Sequence, residues 1–136
     1  MKRSLIILAA GIAVIAVVAP AGAGNNVSIT IRHQTVGCHA WAIGSGKYAA
    51  FQTLTVARGT TLTFTNNDVM PHTLAQLAGP VVALQTPRMA KMHARATIAF
   101  TKPGSYVFGT KPGEDYMSGV KTTGPDNVLK LVMIVK

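Results

Sequence analysis

Leu62-Thr63-Phe64-Thr65-Asn66-Asn67-Asp68-Val69-Met70-Pro71-His72-Thr73 is the stretch on which the fold of this 136-residue chain turns. Leu62 and Phe64 alternate with three threonines, the two-residue period of a strand with one face buried. Asn66-Asn67-Asp68 then supplies turn chemistry, and Pro71 presents His72 at the start of a second strand. The same alternation recurs outward along the chain. Val27-Ser28-Ile29-Thr30-Ile31 has it, as do Ile98 and Phe100 behind Arg95 and Thr97. Ser105-Tyr106-Val107-Phe108 is rich in residues that suit strands, and the closing run from Val128 to Val135 places Leu129, Leu131, Met133 and Val135 on one side with Lys130 and Lys136 on the other. Gly59, Gly79-Pro80, Pro103-Gly104, Pro112-Gly113 and Gly124-Pro125 punctuate these runs. Such spacing predicts an all-β domain, for which a β-sandwich is the natural architecture. The stretch from Pro80 to Ala94 fits either a short helix or an irregular loop.

Composition narrows the class. Thirteen Lys and Arg against four Asp and Glu give a formal charge of +9, and 49 % of residues are hydrophobic against 12 % charged. That balance is too apolar for a disordered chain, and the length suits one domain. Lys2 and Arg3 precede an uninterrupted apolar run from Leu5 to Ala19, then Pro20 and the small residues Ala21-Gly22-Ala23. This is the pattern of a cleavable secretory signal over residues 1–23, the run being shorter than the roughly 20 residues of a spanning helix. Residues 24–136 are then the working domain, exported to the periplasm or the cell exterior and without stable membrane insertion. Removing Lys2 and Arg3 leaves eleven basic and four acidic residues, a charge of +7. The basic residues are dispersed rather than interleaved with aromatics in one run, which speaks against nucleic acid and for a solvated surface that attracts acidic partners.

Few residues can carry chemistry. One cysteine, Cys38, can form neither an internal disulfide nor a four-thiolate cage, so a metal would rely largely on His, Met or carboxylates. No nucleophile elbow, phosphate loop or His-Glu-x-x-His zinc motif is present, and four carboxylates give little scope for paired-acid hydrolysis. An enzyme is not expected.

The 62–73 stretch resembles the cupredoxin superfamily, in whose plastocyanin-like members a strand, Asn-Asn, three residues and Pro-His lead to the first copper ligand. That resemblance implies a cupredoxin-like Greek-key β-sandwich, copper as cofactor, one-electron transfer to a redox partner protein, and a ligand role for His72. The frame Gly104-Ser105-Tyr106-Val107-Phe108-Gly109-Thr110 fits the family's penultimate strand, with Met117 at the axial position after a one-residue insertion. Thr110 stands where the family has its copper thiolate, and the next loop carries Glu114 and Asp115 but no histidine. The usual trigonal site cannot be assembled from that loop.

Cys38-His39 offers the missing thiol and imidazole elsewhere. The expected metal set is therefore His72, Cys38, His39 and Met117, with Glu114 or Asp115 as oxygen donors. Neighbours on a regular strand point to opposite faces, so Cys38 and His39 can share one ion only from a loop or bulge. Met89, Met92 and His93 form a second, soft candidate patch, His33 reads as a surface residue at a strand end, and Trp41 as a core plug beside Cys38. Three functions remain open at this level: an electron carrier, a copper carrier or buffer without rapid electron transfer, and a metal-free interaction module of the cell envelope.

Overall fold

The structure is a computed structural model, which describes residues 25–110 and 119–136. The expected signal over residues 1–23, Glu114, Asp115 and Met117 lie outside the described residues. Among the described residues nine strands form two sheets: β1 (Asn26–Gln34), β2 (Cys38–Ile43), β3 (Phe51–Val56), β4 (Thr61–Asn67), β5 (His72–Ala78), β6 (Arg88–Met89), β7 (Arg95–Ala99), β8 (Gly104–Thr110) and β9 (Lys130–Val135). One sheet has the order β2-β1-β4-β7, the other β3-β9-β8-β5-β6. The all-β sandwich expected from the pattern is what forms.

Alternation accounts for the core. Ile29 and Ile31 of β1, Leu62 and Phe64 of β4, Ile98 of β7, Tyr106 and Phe108 of β8, and Leu131, Met133 and Val135 of β9 all turn inward and are buried. Trp41 lies among them, its ring centroid 6.1 Å from that of Phe64, as expected of a core plug. Burying large aromatic surface of this kind supplies the main drive for folding.

Two strands were not picked out from the sequence. β2 is buried from Cys38 to Ala42, because the returning chain pairs with its edge, Trp41 and Ala49 exchanging both backbone hydrogen bonds at 3.1 Å. A strand covered in this way reads as a continuous apolar run. β3 is an edge strand paired in parallel with β9, and only Leu54 and Val56 of its apolar residues are half-buried while Phe51 is exposed. The ambiguous 80–94 stretch contains no helix; it runs as loop with the two-residue β6 pairing His72 to Met89 and Thr73 to Arg88.

Parallel pairing of β1 with β4 sets the functional end. Ile31 lies opposite Asn66 and Arg32 opposite Asn67, while antiparallel β2 places His39 opposite His33 and Cys38 opposite Gln34. The 35–39 turn and the 66–72 loop therefore meet at the same end of the sandwich. Among the described residues no helix is long and apolar enough to cross a membrane.

Candidate metal centre

The 66–72 loop is held by its own side chains. Asn66 Nδ2 donates to the carbonyls of Met70 at 2.8 Å and Met89 at 3.1 Å, and Asn66 Oδ1 accepts from the Asp68 N–H at 2.8 Å. Asp68 Oδ1 in turn accepts from the Met70 N–H at 3.1 Å. These are the turn-forming bonds that Asn and Asp make with nearby backbone. They fix Pro71 and so the direction in which His72 enters β5.

The 35–39 turn is bent instead by backbone conformation. Gly37 and Cys38 both have positive φ, +76° and +62°. A Cβ at position 37 would displace the Asn127 side chain and strain a left-handed backbone, so glycine is favoured there. For a cysteine the left-handed region is sparsely populated and costs of order 1–3 kcal/mol, which the surroundings must offset. They do so through distant chain: Gly37 N–H donates to the Thr123 carbonyl at 2.9 Å, Asn127 N–H to the Gly37 carbonyl at 2.9 Å, and Asn127 Nδ2 to the His39 carbonyl at 2.8 Å. This bend breaks strand alternation at Cys38, the irregularity that sharing an ion with His39 demands.

Two donor groups result, and His39 belongs to both. Cys38, His39 and Asp126 form one; His39, Asp68 and His72 form the other; within each, the ligand atoms lie within 4.8 Å of one another. Donors about 2.0–2.3 Å from a shared ion stand at most about 4.6 Å apart, so each group is close to metal-binding size. Asp68 is the hinge between them. Fully buried, it accepts His39 Nδ1 at 2.9 Å and His72 Nε2 at 3.1 Å on the same oxygen, and the two rings meet edge-on with centroids 4.7 Å apart. Burial alone would raise the Asp68 carboxyl, but hydrogen bonds from His39, His72 and the Met70 N–H outweigh it and hold the group well below the usual carboxylate range. An ionised carboxylate can only accept, so both nitrogens facing it carry hydrogen. In neutral rings the lone pairs then fall on His39 Nε2 and His72 Nδ1.

On the other side of His39, Nε2 lies 3.4 Å from Asp126 Oδ1, whose side chain is one-third exposed. Cys38 is buried, and Thr122 Oγ1 donates to its Sγ at 4.0 Å. Burial, with the Thr122 hydrogen bond opposing it and the charges of Asp126 and Asp68 adding to it, pushes the thiol up from its ordinary value. A bound cation would reverse that balance by stabilising the thiolate.

Of the residues expected to ligate, Cys38, His39 and His72 converge here, and Met117 lies outside the described residues. Thr110 is buried at the end of β8, opposite Leu74. The Met89, Met92 and His93 patch does not form: Met89 is fully buried in the core while Met92 and His93 are exposed. Asp68 and Asp126 are the two members of these donor groups that sequence reasoning did not single out. Asp68 had a signal in its four-residue spacing from His72; Asp126, 88 positions from Cys38 along the chain, had none.

No family model and no curated protein matches the chain. Among solved structures it is similar to cupredoxins. An oxidised mutant of amicyanin is 22 % identical with a TM-score of 0.46, covering 85 % of each chain. A mutant of amicyanin in its Cu(I) form is 21 % identical with a TM-score of 0.44, again over 85 % of each chain. A purple cupredoxin from Nitrosopumilus maritimus is 25 % identical with a TM-score of 0.45, over 80 % of this chain and 98 % of that one.

Proposed function

We propose that the protein is an exported copper-binding one-electron carrier whose ion is held by Cys38 Sγ, His39 Nε2 and Asp126, with His72 and Asp68 holding His39 in place. The observation that carries this reading is the convergence of the only cysteine, two of four histidines and two of four carboxylates on one corner, buried except at Asp126. The donor chemistry fits copper. A thiolate favours Cu(I), imidazole and carboxylate suit Cu(II), and Cu(II) binds nitrogen and oxygen donors more tightly than the other divalent first-row ions. A mixed set is therefore tolerable in both oxidation states. When bound, copper supplies the redox change itself.

The chain supplies the rest. Asp68 accepts the hydrogen bond from His39 Nδ1–H and leaves Nε2 free to ligate, the usual second partner of a metal-binding imidazole. Both histidines are anchored at strand ends, so little of the frame must move when charge changes. Asp126 stands at the solvent side of the group, and the basic surface favours an acidic redox partner. Export is tested by N-terminal sequencing of secreted protein, expected to begin at Gly24.

Titration of the reduced protein with Cu(II), followed by optical and electron paramagnetic spectra, tests the assignment. One equivalent binding with an intense thiolate-to-copper band that Cys38→Ser abolishes, and a reversible one-electron wave in voltammetry, are the expected results. Uptake without a thiolate band, or no stoichiometric uptake, would overturn it.

A further inference from the structure

His33 is not the surface residue its strand-end position suggests. It continues the inward-facing series of β1 after Ile29 and Ile31, two residues apart, and is directly opposite His39 on β2. Directly opposed residues of an antiparallel pair point to the same face with Cβ atoms about 4.5–5.5 Å apart. The ring is half-buried, and its Nε2 lies 3.3 Å from the Lys121 carbonyl oxygen. A carbonyl only accepts, so Nε2 carries the hydrogen, and in the neutral ring the lone pair sits on Nδ1.

That Nδ1 is buried and has no hydrogen-bond partner among the described residues. Two other buried polar side-chain atoms share that condition among the described residues, Trp41 Nε1 and Thr60 Oγ1. The indole nitrogen is a donor with no lone pair to offer, and Thr60 lies just before β4, at the far end of that strand from Asn66. An unpaired buried acceptor costs about 1–3 kcal/mol and asks for an ion or a donor to satisfy it.

We propose that His33 Nδ1 is the fourth metal ligand, completing a set with Cys38 Sγ, His39 Nε2 and Asp126; this rests on the copper-binding reading above. The Cys38, His39 and Asp126 group supplies three donors, one short of a four-coordinate ion. His33 is outside that 4.8 Å group, so ligation draws its ring inward, with the Lys121 carbonyl selecting the tautomer as second partners of metal-bound histidines do.

The test compares the wild-type protein with His33→Gln, which keeps an amide donor for the Lys121 carbonyl but has no imidazole. Each is loaded with one equivalent of Cu(II), and the imidazoles coupled to the ion are counted by pulsed paramagnetic resonance, with affinity measured by chelator competition. The expected result is one imidazole fewer in His33→Gln, with affinity lowered more than the roughly 10–100-fold that loss of an outer partner costs, and with the thiolate band retained. An unchanged imidazole count and affinity overturns the role of His33 while leaving the copper reading standing; a wild-type protein that takes up no copper overturns both. Nitrogen chemical shifts of the metal-free protein give a second readout. A protonated Nε2 on His33 is expected, and a protonated Nδ1 would sink the inference.

Discussion

The two corners that deliver His72 and His39 onto Asp68 are built by opposite means. The 66–72 corner is shaped mainly by its own side chains: the Asn66 and Asp68 side chains bond backbone within four residues, apart from the bridge to the Met89 carbonyl, while the Asn66 backbone is tied to the 93–94 segment, its N–H donating to the Ala94 carbonyl at 2.9 Å and its carbonyl accepting from the His93 N–H at 2.6 Å. The 35–39 corner has less local chemistry, the His39 N–H donating to the Gly37 carbonyl at 2.7 Å and Gln34 Nε2 to the His39 carbonyl at 3.4 Å. Its left-handed Gly37 and Cys38 are held by Thr122, Thr123 and Asn127, some 85 to 90 residues away. A local corner forms as soon as its strand does, whereas a corner held by distant chain becomes stable only once the whole sandwich has closed.

Asp68 is where the two designs depend on one another, and its loss should have the largest effect. Asp68→Ala removes a buried carboxylate that satisfies two imidazoles and a backbone N–H, which should destabilise the fold by about 3–5 kcal/mol in urea denaturation. The same group sets an acid limit. Its folded pKa is depressed, so its contribution is fully present above the ordinary unfolded value near 4 and is lost as pH falls below it towards the lower folded value. The wild-type urea midpoint should therefore drop between pH 5 and pH 3 by more than that of Asp68→Asn. An equal drop in both would show that other groups set the acid limit.

The difference between the corners also explains what the sequence made legible. Alternation in β1, β4, β7, β8 and β9 gave the sandwich, and Asn66-Asn67-Asp68 with Pro71-His72 announced the first corner because its causes are adjacent in the chain. Cys38 and His39 were recognisable as donors by residue type alone. Their conformation was not, since the side chain that crowds Gly37 is the distant Asn127. His33 was misjudged for a similar reason: only the register against His39 shows that the inward series of β1 extends to it. β2 hid its strand character because its edge is paired and its length is buried.

Asn66→Ala should rank next, at about 2–4 kcal/mol, because it leaves the Met70 and Met89 carbonyls and the Asp68 N–H without partners in a buried loop. Gly37→Ala should cost less, about 1–3 kcal/mol, combining a left-handed backbone with displacement of the Asn127 side chain. Thermal melting of the two variants checks the order. If Gly37→Ala proved neutral, the distant clamp would be looser than its geometry implies.

Asn127→Ala separates the corners most cleanly, although its effect on stability should be the smallest. It deletes one side-chain hydrogen bond, from Nδ2 to the His39 carbonyl at 2.8 Å, for about 1 kcal/mol, and the space vacated faces Gly37. The Asn127 backbone bond to the Gly37 carbonyl remains, so the turn should keep its path while His39 gains freedom. Copper affinity should then fall by roughly tenfold, the size of effect expected when support for a ligand is removed and the ligand itself is kept. Asn66→Ala, by contrast, should unfold the protein at lower urea while the copper spectrum of the surviving folded fraction changes little, because His39 and Cys38 keep their clamp. Were the two variants to shift affinity and stability in the same proportion, the corners would be one cooperative unit and not a local anchor set against a distant clamp.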